Sequence, residues 1–306
     1  MTSVSINPLL SALEKSFLPS TLSPINDSKL HAHGIELWLK RDDLLHPIIS
    51  GNKWRKLKYC LNDALNLGKD TIFSMGGNHS NHLHALAYAG KVLNLKTHGI
   101  IRGEPHAHPS DTLKDLQEWG MQLTYISRTD YRNLRQYHGP QDLPDIQPNA
   151  YWLPEGGATP LALKGVAELV TEIDIPYDIL CTPCGTGTTL AGMIKAAPEY
   201  NSVIGFATLK HAQFLNEDVR KLIPTTFINW QINHNYHFGG FAKTTPELIN
   251  FINQFADNTG IILEPLYTGK MLFALYDLIT KNTFKPGQRI IAIHTGGLQG
   301  LRGFNE

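Results

Sequence analysis

The chain has 306 residues and no net charge, because 27 lysines and arginines balance 27 aspartates and glutamates. A nucleic-acid groove or an anionic membrane surface would require an excess of basic residues, so we expect neither partner. The N-terminus does not resemble a signal peptide, no apolar run approaches the roughly 20 residues that cross a bilayer, and the three cysteines make no disulfide framework, so the sequence predicts a cytoplasmic protein.

Strand-like and helix-like segments alternate along most of the chain and are joined by short connections. This order is typical of an α/β fold in which helices cover parallel sheets, and we expect two sheet units rather than one. The predicted strands cover residues 35–43, 71–75, 97–102, 121–126, 177–182, 202–209, 260–266 and 289–295. The predicted helices cover residues 54–65, 81–95, 111–119, 160–172, 189–197, 246–257 and 268–280. The segment 135–149 is rich in proline and glycine, which predicts a loop that crosses between domains.

Lys53 follows Ser50, Gly51 and Asn52 and leads into a predicted helix. A lysine among small, turn-forming residues at a helix start can be desolvated, lose its proton and act as an amine nucleophile. Basic residues continue through the next turn of that helix, however, and a basic helix start is also typical of a solvated surface. Lys53 alone therefore leaves a functional and a surface role open.

A glycine–threonine loop connects the predicted strand at 177–182 to the next predicted helix. The loop consists of Gly185, Thr186, Gly187, Thr188 and Thr189. Glycine lets the backbone approach an anion closely, and the helix N-terminus supplies free N–H groups and the positive end of a dipole. No lysine follows the last glycine, as it would in a nucleotide P-loop, and the spacing differs from the dinucleotide fingerprint. The loop therefore predicts a site for one phosphate, with an ordinary glycine-rich turn as the alternative.

A serine–asparagine pair, Ser80 and Asn81, follows the paired glycines Gly76 and Gly77. The pair would supply a hydroxyl and an amide at the start of a helix. A candidate lysine, such a pair and a phosphate loop in one α/β chain are the parts that hold pyridoxal phosphate.

Two further groups of residues suggest a metal or redox site. His79, His82 and His84 are close in sequence, but the last two would point to different faces of a helix, and no nearby acidic residue completes a ligand set. Cys181 and Cys184 form a C-x-x-C pair, but zinc would require two further ligands. We therefore predict no metal site.

Six segments with characteristic residues occur in order, at 40–43, 51–57, 76–82, 185–187, 264–270 and 294–297. On these segments the chain resembles the 1-aminocyclopropane-1-carboxylate deaminase/D-cysteine desulfhydrase family, within the tryptophan-synthase-β-like class (fold type II) of pyridoxal-phosphate enzymes. The resemblance implies a homodimer and a two-domain α/β fold with a sheet flanked by helices in each domain. It implies a smaller domain at 54–154 and a larger, cofactor-binding domain built from 1–53 and 155–306.

The resemblance implies cofactor-binding roles for several residues. Lys53 would form the Schiff base with pyridoxal phosphate and later move the Cα proton of the substrate. Asn81 would hold the phenolic oxygen of the cofactor, and Thr295 would face its pyridine nitrogen. The loop at 185–189 would bind its phosphate.

The resemblance also implies catalytic and substrate-binding residues. Ser80 would lie near the substrate and assist proton transfer, and Tyr267 matches the active-site tyrosine beside the cofactor. The implied substrate-binding residues are Ser80, Asn81, His82, Phe241 and Tyr267.

Residues that differ within the family bear on the substrate. Thr268 and Thr295 match the desulfhydrase-like pattern, since the deaminase branch typically has glutamate and leucine at these positions. The implied reaction is α,β-elimination from a small amino acid, D-cysteine, giving pyruvate, ammonia and sulfide. The alternative is deamination of 1-aminocyclopropane-1-carboxylate to 2-oxobutyrate and ammonia. His79 replaces a usual glutamine and Phe241 a usual tyrosine, so a pyridoxal-phosphate-binding protein without turnover is a further alternative.

Overall fold

The computed structural model describes residues 5–105, 107–137 and 149–304. Within these residues, strands and helices alternate, which confirms the predicted α/β class. The strands are β1 Leu22–Ile25, β2 Glu36–Lys40, β3 Thr71–Gly76, β4 Lys96–Arg102, β5 Gln122–Ile126, β6 Ala150–Leu153, β7 Ile179–Cys184, β8 Ser202–Ala207, β9 Trp230–Asn233 and β10 Arg289–Ile293. The helices are α1 Pro8–Glu14, α2 Ser28–Ala32, α3 Asn52–Asn66, α4 Asn81–Leu93, α5 Asp111–Glu118, α6 Arg128–Leu134, α7 Pro160–Thr171, α8 Thr188–Ala196, α9 Phe214–Leu222, α10 Pro246–Thr259 and α11 Thr268–Thr280. Within the same described residues, 3-10 turns lie at Asp42–Leu44, Glu155–Gly157 and Leu298–Phe304.

The strands form two sheets, as predicted. The larger sheet has the order β1-β2-β10-β7-β8-β9, and the smaller sheet has the order β5-β4-β3-β6. Every pair of neighbouring strands is parallel except β1 and β2, which are antiparallel. The four strands of the smaller sheet all fall inside the range predicted for the smaller domain. The domain bounds themselves, 54–154 against 1–53 with 155–306, remain a prediction.

The central strands of the larger sheet are buried on both faces. All six residues of β7 are buried, and so are four of the five residues of its neighbour β10. Alternate residues of β7 enter different cores, because Ile179 and Cys181 pack with α10 and α11 while Leu180 and Cys184 pack with α7 and α8. Helices on both faces are what a parallel sheet requires, and they explain the continuous apolar runs in these strands.

Helix α3 packs closely against α7 and carries buried charges. A Cβ at Gly165 of α7 would overlap the carbonyl oxygen of Arg55, so glycine permits this close approach. The Arg55 guanidinium is buried and pairs with Asp42 at 3.0 Å and with Glu172 at 2.7 Å. Lys40 also pairs with Glu172, at 3.0 Å. A solvated surface is therefore the wrong interpretation for the start of α3.

The predicted strand at 260–266 is wrong. Its backbone groups bond to side chains and not to a neighbouring strand, since the Thr259 hydroxyl accepts from the N–H of Ile261 and the Glu264 carboxylate accepts from the N–H of Leu266. Several short elements were not predicted: α1, α2, α6, α9, β1, β6 and β9. Of the predicted loop 135–149, residues 138–148 lie outside the described residues. No described helix is long and apolar enough to cross a membrane.

Candidate active site

One cavity of about 810 Å³ contains most of the predicted site residues, and we call it the central cavity. Its walls come from the first turn of α3 and from segments that follow the carboxyl ends of β3, β7 and β10, which is where ligands bind in parallel α/β sheets. The predicted site residues that line it are Lys53, Ser80, Asn81, His82, Gly185, Thr186, Gly187, Thr189, Phe241, Tyr267 and Thr295. Thr188 of the same loop is fully buried and does not line the cavity.

Lys53 is held at the start of α3 by an unusual backbone turn. Gly51 has a φ of 63°, and a Cβ there would overlap the carbonyl oxygen of Thr295. The Lys53 ammonium donates to Asn52 Oδ1 at 2.5 Å, and Asn52 Nδ2 donates in turn to Thr189 Oγ1 at 2.9 Å. Burial lowers the pKa of Lys53 to about 8, against an opposing attraction from Glu264. Lys53 is therefore joined to the glycine–threonine loop and loses its proton more readily than an exposed lysine.

The glycine–threonine loop presents backbone to the cavity. Gly187 has a φ of 74° and precedes α8, whose N-terminus directs free N–H groups toward the loop. A Cβ at Gly185 would lie 3.1 Å from the ring of Tyr267, so a larger residue would crowd that side chain. The hydroxyls of Thr186 and Thr188 lie 3.1 Å apart. This arrangement can hold a phosphate through N–H and hydroxyl donors.

Lys56, three residues after Lys53, was missed by the sequence interpretation. It is buried, lines the central cavity, and has a pKa lowered to about 7 by burial and by the charge of Lys53. A buried amine one turn from the amine of Lys53 favours an anion in the cavity that both residues line. The one-turn spacing from Lys53 was the available signal, since residues three apart share a helix face.

Ser80 and Asn81 lie at the start of α4. The Ser80 hydroxyl accepts a hydrogen bond from the N–H of Leu83 at 3.2 Å and so caps the helix. Asn81 Oδ1 accepts from Gln299 Nε2 at 2.6 Å, and a Cβ at Gly297 would lie 2.6 Å from Asn81 Nδ2. The 3-10 turn after β10 therefore fixes the Asn81 amide through Gln299, a positioning residue that no sequence pattern identified.

The three neighbouring histidines have separate environments. His82 Nε2 lies 2.9 Å from Ser74 Oγ, and burial, followed by repulsion from Lys56, lowers its pKa to about 3. Its Nδ1 is buried without a hydrogen-bond partner among the described residues. His84 pairs with Asp115 at 2.8 Å, whereas His79 is exposed. His82 is thus a neutral imidazole on the cavity wall, and no three potential ligands cluster as a metal site within the described residues.

Glu264 organises the turn that carries Tyr267. Its carboxylate accepts hydrogen bonds from the N–H groups of Leu266, Tyr267 and Thr268, at 2.7, 3.0 and 2.6 Å. Burial nevertheless raises its pKa to about 7. Burial and the charge of Glu264 also raise the pKa of Tyr267, so its phenol stays protonated at neutral pH. The ring of Phe241 contacts that of Tyr267, with centroids 6.0 Å apart.

The comparisons with known proteins agree with this geometry. The sequence profile of the family described as "Pyridoxal-phosphate dependent enzyme" matches residues 19–296. The chain belongs to the pyridoxal-phosphate-dependent enzymes. An Arabidopsis thaliana member named bifunctional D-cysteine desulfhydrase/1-aminocyclopropane-1-carboxylate deaminase, mitochondrial, is 31% identical over 307 residues, which cover 88% of this chain and 74% of the plant protein. The 1-aminocyclopropane-1-carboxylate deaminase of Rhizobium leguminosarum bv. viciae is 26% identical over 89% of each chain.

A solved structure supports the same family assignment for this pyridoxal-phosphate enzyme. A crystal structure described as an ACC deaminase homologue superimposes with a TM-score of 0.78 at 26% identity and covers 98% of both chains. Together with the plant relative, it confirms the predicted 1-aminocyclopropane-1-carboxylate deaminase/D-cysteine desulfhydrase family and its fold type II architecture.

The residues of the central cavity fit pyridoxal phosphate. Its phosphate requires an anion site, and the loop with two glycines, the start of α8 and the buried amine of Lys56 offer one. Its aldehyde requires an amine that can lose a proton, and Lys53 is such an amine. When bound, the cofactor supplies an electron sink for a negative charge that develops at the substrate Cα.

Proposed function

We propose that this enzyme catalyses α,β-elimination from a small amino acid, with D-cysteine favoured, and releases pyruvate, ammonia and sulfide. The observation that carries the proposal is the half-buried amine of Lys53, with its lowered pKa, joined through Asn52 to the glycine–threonine loop. An amine in that position can both hold the cofactor and take a proton from the substrate. The name of the Arabidopsis relative supports the same class of reaction.

We propose the following cofactor contacts. Lys53 holds the cofactor covalently, and the loop residues Gly185, Thr186, Gly187 and Thr189 bind its phosphate together with Lys56. Thr188 contributes from beneath through its bond to Thr186. Asn81, which Gln299 orients, holds the phenolic oxygen, and Thr295 faces the pyridine nitrogen. A neutral hydroxyl at Thr295 stabilises a protonated pyridine less than a carboxylate would.

The substrate contacts follow from the cavity walls. Lys53 removes the proton from Cα, and Ser80 assists because its hydroxyl lies on the cavity wall and is held there by its capping bond. Tyr267 remains protonated and can donate to the leaving group. Phe241 and the neutral imidazole of His82 complete the walls around the substrate.

Thr268 bears on the choice between elimination and ring opening. Its hydroxyl is fully buried and donates to Glu264 Oε1 at 2.9 Å, so residue 268 supports the turn and does not line the cavity. The deaminase pattern has glutamate at this position and the desulfhydrase-like pattern has threonine, so the resemblance at Thr268 favours the desulfhydrase reaction. Deamination of 1-aminocyclopropane-1-carboxylate is the second candidate, because relatives carry that name.

A substrate panel tests the proposal. The cofactor-loaded enzyme is incubated with D- and L-cysteine, D- and L-serine and 1-aminocyclopropane-1-carboxylate, and pyruvate, 2-oxobutyrate and sulfide are measured. Pyruvate and sulfide from D-cysteine are expected. Formation of 2-oxobutyrate from the cyclopropane substrate would favour the second candidate. Stable cofactor absorbance without product from any compound would leave a pyridoxal-phosphate-binding protein without turnover.

We also propose that the enzyme is a cytoplasmic homodimer. The described cysteines Cys60, Cys181 and Cys184 are buried and free, as is usual in a reducing compartment. The dimer rests on the family resemblance. Light scattering should give a mass twice the 34.1 kDa of one chain, and a mass of one chain would refute the dimer.

A further inference from the structure

Four arginines gather at one end of the central cavity, and the proposed function uses none of them. Arg102 ends β4, Arg128 and Arg132 lie on α6, and Arg135 caps that helix. Arg102, Arg128 and Arg135 line the central cavity. All four line an adjoining cavity of about 330 Å³, with Tyr131 as the fifth lining residue. We call these four residues the arginine cluster.

Among the described residues, one carboxylate forms an ion pair with the arginine cluster. Arg135 Nε lies 2.7 Å from Glu155 Oε2. Within the described ranges, Arg102, Arg128 and Arg132 form no ion pair with a carboxylate. Helix α6 places Arg128 and Arg132 one turn apart, a spacing at which like charges repel each other and destabilise a helix. An external anion bound here would remove that repulsion.

Glu155 fixes the cluster relative to the cofactor site. Its Oε1 accepts from the hydroxyl of buried Tyr131 at 2.6 Å, while its Oε2 pairs with Arg135. The next residue, Gly156, lies against the glycine–threonine loop, since a Cβ at Gly156 would be 2.9 Å from Thr186 Cγ2. Residues 155 and 156 therefore contact both the arginine cluster and the glycine–threonine loop. These contacts fix the position of the arginine cluster relative to the glycine–threonine loop.

Arg102 extends toward the opposite wall. Its guanidinium carbon lies 5.7 Å from the centroid of the Tyr131 ring, and its Nη2 lies 3.7 Å from where a Cβ of Gly77 would be. Gly77 belongs to the segment that leads to Ser80. The cavity is thus continuous from Lys53 to the arginine cluster, and its volume of about 810 Å³ falls in the upper part of the ~300–1,000 Å³ range of small-molecule sites.

We propose that the arginine cluster binds a second acidic group at the distal end of the substrate side chain. This inference rests on the proposed function and extends its substrates to amino acids whose side chain ends in a carboxylate or a phosphate. Guanidinium groups bind both anions through paired, charge-assisted hydrogen bonds. Among the described residues, the carboxylates on the cavity wall, Glu104 and Glu155, are fewer than the three arginines that line it.

A substrate of this kind undergoes the same α,β-elimination. The proton leaves Cα, and the bond from Cβ to the leaving group breaks, with its electron pair departing on the leaving group that carries the distal anion. One water then replaces the amine, so that pyruvate and ammonia are released.

A matched pair of substrates tests the inference. O-Acetylserine and O-succinylserine share the same ester leaving group, but only the second has a distal carboxylate; O-phosphoserine provides the phosphate arm. Each is assayed as D and L isomers with the cofactor-loaded enzyme. We expect kcat/KM to be higher for O-succinylserine than for O-acetylserine, and we expect Arg128→Gln to reduce this ratio by about 10- to 100-fold. Arg220→Gln, an exposed arginine on α9, should leave the ratio unchanged.

Two readouts separate failure of this inference from failure of the proposed function. A ratio near one, or a ratio that Arg128→Gln does not alter, would overturn the inference while D-cysteine turnover stands. Calorimetry with 2-aminoadipate and norleucine, which have no leaving group on Cβ, measures binding to the cofactor-loaded enzyme without turnover. At least tenfold tighter binding of 2-aminoadipate, which has a distal carboxylate, than of norleucine, which has none, would support the cluster as an anion site, and equal binding would refute it.

Discussion

Lys53 has the environment of an amine that can react at neutral pH. Replacing Lys53 should therefore have an effect that replacing another basic residue of α3 does not have. Lys53→Ala should abolish the visible absorbance of the lysine-bound cofactor and reduce kcat by roughly a thousandfold or more, because both attachment and proton removal depend on this amine. Absorbance spectra and turnover of D-cysteine measure the two effects. Lys58→Ala is the matched control, since Lys58 lies on the same helix but pairs with Glu14 and Glu168 away from the cavity. Retention of the absorbance in Lys53→Ala would contradict the assignment.

The lowered pKa of Lys53 predicts how cofactor attachment depends on pH. Only the neutral amine attacks an aldehyde, and burial moves its pKa from 10.5 down to about 8. The rate at which cofactor-free enzyme gains visible absorbance should therefore rise with pH up to about 8 and then level off. An exposed lysine would show the rise continuing to about 10.4. Stopped-flow absorbance across this pH range measures the midpoint, and a midpoint near that of an exposed lysine would refute the desolvation of Lys53.

The contact between α3 and α7 holds the helix that carries Lys53. Gly165 of α7 permits this contact because it has no side chain. Gly165→Ala should lower the free energy of unfolding by about 1–3 kcal/mol, because its Cβ would overlap the carbonyl oxygen of Arg55, and backbone cannot rotate away as a side chain could. Urea unfolding measures the change. Gly77→Ala is the control, since the nearest atom to a Cβ there is at an ordinary 3.7 Å. Equal stabilities for the two variants would show that α3 and α7 can separate at little cost.

The periodicity of the sequence predicted the long helices and the central strands but not the short elements. Helices such as α11 bury a continuous apolar face, and strands such as β7 are apolar throughout, so both leave a strong pattern. Helix α6 has only seven residues, and its visible signal was local, since Ser127 caps it and bonds to the N–H of Asp130. The predicted strand at 260–266 failed because an apolar run does not reveal that Glu264 will take the backbone N–H groups.

Sequence patterns identified the cavity residues that belong to local motifs and not those that contacts across the molecule bring to the cavity. Lys53, the glycine–threonine loop and the Ser80–Asn81 pair each belong to a short segment with a recognisable composition. Lys56 was left among surface residues because its burial depends on packing against other elements. The arginine cluster is likewise assembled from the end of one strand and a separate short helix, and single-sequence patterns do not report such distances.

Gln299 forms a hydrogen bond between segments that follow strands of the two sheets, and its substitution tests what that hydrogen bond contributes. It lies in the 3-10 turn that follows β10 of the larger sheet, and its amide donates to Asn81 at the start of α4, which follows β3 of the smaller sheet. Gln299→Ala should raise the dissociation constant of the cofactor by about 3- to 10-fold, the loss of one hydrogen bond that orients Asn81. Titration of the cofactor-free enzyme, followed by absorbance, measures this constant. Gln117→Ala, an exposed glutamine on α5, should leave it unchanged, and equal constants for both variants would mean that Asn81 is positioned by α4 alone.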